Sequence, residues 1–234
     1  MKLKVNYFDN QINITEEQIF SIEILNKKYF YRLVNDLLSI SNNSSIEEIV
    51  FYDNNEIINL CNKINVITQY FEFDFDSKKY NNNVFKYVCN SIGDIGKSNI
   101  LKYTNKLYNS INKELQSLEL PLTINTEETF ENIIKSLKLV INKKSELLDN
   151  LLLLIDIEKS FNLNDILVFV NLKQLLSNAE LKELYKYAIY NGMKILMIDS
   201  ISYKNKIKYE NKLIIDDDLT EFMIQCYYWH RFII

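Results

Sequence analysis

Along the first fifth of the chain, apolar and polar positions alternate at period two and then change to a helical spacing. Residues 2–8 place Leu3, Val5 and Tyr7 on one side of an extended segment, and residues 18–25 form a second run rich in strand formers. Asn26 stands where its side chain can cap a helix over roughly residues 27–40, and the run SNNSS at 41–45 predicts a turn. Residues 48–52 read as a buried strand closed by the polar residues 53–55. Residues 63–75 hold another, with Val66, Tyr70, Phe71 and Phe73 as its β-formers.

From about residue 78 the period lengthens. Val84, Tyr87, Val88 and Ile92 recur every three or four places, and Ile100, Leu107, Ile111, Leu115 and Leu118 continue the pattern, which predicts amphipathic helices. Pro121 interrupts it, Thr126 with Glu128 and Thr129 opens a further helical stretch, and residues 145–161 carry Leu147, Leu148, Leu151, Leu152 and Ile155 on one broad face. After Asn164 the run ILVFVN at 166–171 is a continuous apolar strand. Ser177 and Glu180 have the spacing of a capping box for a helix to about Tyr190, and Asn191–Gly192 ends that helix before the strand KILMID at 194–199. The fold class expected is therefore an α/β head built from residues 1–77 and 164–234, with a mostly α-helical leg over residues 78–163 inserted between them.

Composition narrows the class of protein. With 234 residues, 47% of them hydrophobic, the chain can bury one full core or a core with a subdomain, and a disordered chain is excluded. Lys and Arg number 27 against 31 Asp and Glu, a net charge of −4, so any nucleic-acid site must be a local patch. Cys61, Cys89 and Cys226 are odd in number and lack a CxxC pair, which argues against a disulfide framework or thiolate zinc and for reduced interior residues of an intracellular protein. The start MKLKVNYFDN has no secretory pattern, and runs such as residues 151–155 and 166–170 are far shorter than the ~20 residues of a membrane helix. A cytoplasmic protein without membrane contact is expected.

Several segments invite chemical readings. SIGDIGKS at 91–98 ends like a phosphate loop, but Ser91 stands where the first Gly belongs and the preceding VFKYVCN has helical spacing. With Asp199 at the end of an apolar strand as magnesium ligand, Lys97 would make an ATPase; the plain alternative is a loop between helices. His230 is the only histidine and lies in QCYYWHRFII without partners for a catalytic triad. Asp216, Asp217 and Asp218 could bind a hard cation, yet Asp218 and Glu221 have capping-box-like spacing. Tyr227, Tyr228 and Trp229 could stack on bases or pack in a core. Between Lys97 and Ser145 eight lysines face five acids, a local net of +3. Lys102, Lys106, Asn109 and Lys113 fall on one helix face opposite the apolar stripe, which is either an ordinary solvated face or a surface for phosphates.

The order of these elements resembles a known family. The stretch NDILVFVNLKQLLSNAELKELYKYAIYNGMKILMIDS at 164–200 is its most specific part: a strand ending in Asn171, a loop, an acid-rich helix from Ser177, and a strand ending in an acid, followed by KLIIDDDL at 212–219. Over its whole length the chain resembles the short form of the CRISPR-associated DNA-end-binding ring protein of type II-A adaptation modules, the Csn-type spacer-acquisition protein. The resemblance implies a head like a nucleotide-binding parallel α/β fold that lacks a functional phosphate loop, a helical leg, and no enzymatic activity. It implies a homotetrameric ring around double-stranded DNA, partnered by the CRISPR integrase complex and the effector nuclease of the same locus, and calcium bound by leg acids. By position, Glu119, Glu127 and Glu128 fall at the calcium-ligating acids, although Pro121, Thr123 and Thr126 occupy an interval that is densely acidic in other members. Lys135, Lys138, Lys143 and Lys144 fall in the basic inner wall, with Lys102, Lys106 and Lys113 as further DNA contacts. A scaffold that assembles through its helices and ignores nucleic acid is the third reading.

Overall fold

The computed structural model describes residues 1–44, 46–124, 128–203 and 207–225. In chain order the elements are β1 (Lys2–Val5), β2 (Ile12–Asn13), β3 (Ile19–Ile24), α1 (Lys27–Ser41), β4 (Ile49–Asp53), β5 (Glu56–Ile58) and β6 (Ile64–Ile67). Then come α2 (Lys78–Ser91), α3 (Asp94–Leu115), α4 (Phe130–Ser136) and α5 (Leu147–Phe161). The last are β7 (Ile166–Val170), α6 (Asn178–Tyr190), β8 (Lys194–Asp199), β9 (Glu210–Ile215) and β10 (Glu221–Ile224). Two compact units result: a larger one joining Met1–Phe73 to the chain from Lys144 onward, and a smaller one, Asp74–Lys143.

The larger unit is a mixed α/β body. Its main sheet has the order β10-β9-β3-β8-β7-β6 and is parallel except for β10, which pairs antiparallel with β9. Phe20 and Val168 both lie opposite Leu196, so β3, β8 and β7 are in register at the centre. Parallel strands covered on both faces read as unbroken apolar runs, and every residue of β3 and of β7 is buried. A second, antiparallel sheet has the order β2-β1-β4-β5; in β1 only Leu3 and Val5 are buried while Lys2 and Lys4 face solvent. One core joins Ile22, Val168, Leu196 and Ile198 of the main sheet, Leu3 and Phe51 of the small sheet, and Leu33 and Leu37 of α1. Each such aliphatic side chain contributes about 1.5–3 kcal/mol by leaving water. The alternate residues Leu167, Phe169, Ile195 and Met197 are equally buried, and α6 packs on β8 and on α5.

Local signals place the helix ends. Asn26 Oδ1 accepts from the backbone N–H groups of Lys28 and Tyr29, at 3.1 and 3.2 Å. Ser177 and Glu180 close both bonds of a capping box, and Gly192 follows α6 at φ +64°, a left-handed conformation glycine takes without strain.

The structure differs from expectation at three places. The inserted unit is Asp74–Lys143 and not 78–163, because α5 turns its apolar face, including the fully buried Leu151 and Ile155, into the larger unit and packs on α6. The strand within 63–75 is only Ile64–Ile67; Tyr70 lies beyond it with its hydroxyl 2.9 Å from the carbonyls of Ile67 and Val170. Asp218 and Glu221 cap no helix. Asp216 accepts from the N–H groups of Asp218 (3.0 Å) and Thr220 (2.8 Å) to turn β9 into β10, while Glu221 accepts from those of Asp9 and Asn10. Ser45, Thr126, Cys226, Tyr227, Tyr228, Trp229 and His230 lie outside the described residues. Cys61 and Cys89 are free thiols, and no helix among the described residues is long and apolar enough to cross a membrane.

Candidate nucleic-acid interface and buried charge cluster

The smaller unit has a thin core. Cys89, Phe130 and Ile134 are buried, with Phe85, Val88, Ile92, Ile100 and Leu139 packed against them. Ser91 ends α2, Ile92 and Gly93 link it to α3, and Gly96-Lys97-Ser98 therefore sits in the first turns of a helix. No strand precedes that run, so it cannot form a phosphate loop. Gly96 serves packing instead, since a Cβ there would come within 2.9 Å of Ile92 Cγ2. Lys97 Nζ stands 5.5 Å from the centre of the Phe130 ring, a cation–π contact.

All seven lysines expected to meet DNA are exposed, but they fall into separate groups. Lys102 and Lys106 share a shallow groove of about 600 Å³ along α3 with Lys97, Asn105, Asn109 and Asp94. Lys113 lies in the last turn of α3, where a cation also complements the helix dipole. Lys135 and Lys138 line a cavity of about 640 Å³ with Asn81, Asn132, Phe85 and Glu131. Lys143 is the last residue of the smaller unit, and Lys144 belongs to the larger one. There the Asn150 side chain holds both the N–H and the carbonyl of Lys144 at 2.9 Å, in a recess that also contains Asp149 and Asp156. The acids beside Lys144 weaken its pull on a phosphate.

Among the described residues, the α3 stripe is only partly covered within its own unit: Ile100 packs on the small core, but the middle of the helix does not. No residue of α3 is buried, and Tyr103, Leu107 and Ile111 are exposed by 66%, 57% and 39%. Glu119 and Glu128 are exposed, Glu127 lies outside the described residues, and among the described residues no three acid, His or Cys side chains converge as a metal site.

Sequence reasoning missed a charge cluster inside the larger unit. Lys173 sits on a single 3₁₀ turn, Leu172–Gln174, just after β7, and its side chain is fully buried against the main sheet. Its ammonium donates to Ser21 Oγ (2.7 Å) and Glu23 Oε1 (3.1 Å) and is ion-paired and hydrogen-bonded with Glu210. Asp199 Oδ2 is 3.7 Å away. Lys212 pairs with Glu23 Oε1 at 2.7 Å and donates to the Tyr203 carbonyl, while Ser202 Oγ and Tyr203 N–H donate to Glu23 Oε2. Tyr185 of α6 donates to Glu210 from the covering helix. These contacts hold Glu23 below the usual carboxylate range despite its burial. The legible signs were Glu23, a charge inside the wholly buried strand IFSIEI, and Asp199 at the end of the apolar strand KILMID.

In a parallel sheet, the helix after a central strand presents its N-terminus to ligands at the strand ends. Here the β3–α1 connection is only Leu25 and Asn26, without glycine, and Asn26 already occupies the helix N–H groups. Lys97 and Asp199 belong to different units, and Asp199 is fully buried beside Lys173.

A family model described as CRISPR-associated protein (Cas_Csn2) matches residues 41–219. No curated protein matches the chain. Among solved structures, the crystal structure of Stu0660 of Streptococcus thermophilus is similar in fold over 97% of this chain and 76% of that one, with 13% identity and a TM-score of 0.56. A nucleotide-free ATP-binding cassette from an ABC transporter aligns over 96% of this chain and 92% of its own, with 15% identity and a TM-score of 0.48.

Proposed function

The chain belongs to the CRISPR-associated Cas_Csn2 family, and from that premise we propose that it is a non-enzymatic, sequence-independent binder of double-stranded DNA and its ends. It works as a homotetrameric ring that assists spacer acquisition, alongside the integrase complex and effector nuclease of the same locus. The observation that carries the reading is charge segregation. The segment Asp74–Lys143 has ten lysines against eight acids, a net of +2, while the rest of the protein carries −6. Exposed lysines are mobile point charges suited to phosphate backbones, and four copies multiply a patch too weak alone.

The absence of catalysis is part of the same proposal. It is supported by the short, self-capped β3–α1 connection and by the helical setting of Gly96-Lys97-Ser98. The exposed part of the α3 stripe favours assembly between copies, which a scaffold indifferent to DNA would share. Calcium at Glu119, Glu127 and Glu128 is likewise proposed; hard cations take six to eight oxygens, so carbonyls, water or a second copy must complete the shell. Cytoplasmic location completes the reading. The test is retention of a linear duplex at low salt by wild type and by the Lys138→Glu, Lys143→Glu, Lys144→Glu triple variant, with light scattering on both. Loss of DNA with unchanged mass supports the ring. An assembly that never retains DNA points to the scaffold, and nucleotide binding that vanishes in Lys97→Ala would restore the ATPase.

A further inference from the structure

We propose that the folded larger unit carries a proton on Asp199 at neutral pH, making the cluster around Lys173 a buried proton-binding site. Three carboxylates, Glu23, Asp199 and Glu210, share a space closed to solvent with two ammonium groups, Lys173 and Lys212, and no side chain of the five is more than 6% exposed. Fully ionised, the cluster would hold one uncompensated negative charge, which a low-dielectric interior strongly disfavours. One proton balances it.

Hydrogen-bond geometry says which group takes that proton. An ammonium has three donors, and those of Lys173 are engaged by Ser21, Glu23 and Glu210. The ammonium of Lys173 reaches Asp199 only as an ion pair at 3.7 Å and its backbone N–H also faces the carboxyl, but among the described residues neither Asp199 oxygen receives a hydrogen bond of ordinary geometry. Glu23, by contrast, accepts from Lys173, Lys212, Ser202 and Tyr203, and Glu210 has Lys173 and Tyr185. An acceptor-only carboxylate in that setting is unsatisfied; a carboxylic acid supplies its own donor. Among the described residues, Glu210 Oε2 and the Tyr203 hydroxyl are the other buried atoms of the cluster without a hydrogen-bond partner.

Among the described residues, the titratable groups facing Asp199 are Glu23 on β3, Glu210 on β9, Lys173 after β7, Tyr185 on α6, Tyr203 after β8 and Tyr70 after β6, while Lys212 on β9 is paired with Glu23. The three tyrosines are all raised well above their ordinary range and stay neutral, so they leave the charge balance unchanged. Burial first, opposed by Lys173 and reinforced by Glu23 and Glu210, pushes the Asp199 carboxyl up to about 7. An unfolded aspartate releases its proton near pH 4. The stabilisation this proton supplies is thus fully present below that value and is lost as pH rises through about 7.

The experiment follows the side-chain carboxyl ¹³C signal of Asp199 in the full-length protein from about pH 5.5 to about pH 8.5, together with the thermal midpoint of wild type, Asp199→Asn and Glu210→Gln. The expected result is a carboxyl that titrates near neutrality and a wild-type midpoint that falls by roughly 4–8 °C across the range. Asp199→Asn removes that dependence. An Asp199 signal already ionised at the acid end, meaning that an ordered water and not a proton satisfies it, overturns the proposal. So does a pH dependence that Glu210→Gln removes and Asp199→Asn keeps. Should Asp199→Asn fail to fold, the wild-type titration alone decides.

Discussion

Lys173 and Asn26 illustrate two kinds of residue that hold the larger unit together, and they differ in how far away their partners lie. Asn26 meets the N–H groups two and three positions on, so its role was readable from a short polar residue ahead of a helical pattern. Ser177 and Glu180 were readable for the same reason. Lys173 meets Glu23 and Ser21 across separations of 150 and 152 residues, and nothing in NLKQLL announces it. Asn26→Ala should cost about 1 kcal/mol and lower the melting midpoint by about 2–4 °C in a calorimetric scan. Lys173→Met removes the ammonium on which Glu23 and Glu210 both depend. A loss of about 3–5 kcal/mol in urea unfolding is expected, because breaking a buried pair strands the remaining charge. A loss below about 1 kcal/mol would mean that water already reaches the cluster.

Among the elements, β7, α6 and β8 matched their sequence patterns because unbroken apolar runs and a capping box are local signals. The boundary of the insertion was not local. The broad face of α5, with Leu151, Leu154 and Ile155, reads as a buried helix whichever unit it joins, and only packing on α6 assigns it. The turn after β9 failed for another reason: an acid followed three residues later by an acid suits a helix start and an aspartate turn equally, and Asp216 selects the turn. For α3, the predicted apolar stripe is only partly covered among the described residues: Ile100 packs on the small core, whereas Leu107 stays 57% exposed. Replacing Leu107 with Glu should alter thermal stability by less than about 0.5 kcal/mol, since more than half of that side chain is already in water. The same variant should lower the assembled mass seen by light scattering. An unchanged mass would remove α3 from the proposed contact between copies.

At the scale of the whole molecule, the proposed ring makes binding a matter of ionic strength. Log affinity for a linear duplex should fall linearly with log salt with a slope of about −0.9 per phosphate neutralised, and scrambling the duplex sequence should leave it unchanged. Charge reversal at Lys135 and Lys138, which share a cavity wall, should flatten that slope; an undiminished slope would move the contact elsewhere, the α3 groove being next. The lysine clusters were legible as a local surplus of charge, but their division between two units was not, because Lys143 and Lys144 are neighbours in sequence and belong to different bodies. That division also bears on how the protein is made. The central strand β3 leaves the ribosome early, yet its two neighbours, β8 and β9, follow only after the entire insertion has been synthesised. Until then Phe20 and Ile22 lack the strands that flank them, so the nascent chain carries an unfinished sheet through most of translation. A chain released before Glu210 could never complete it.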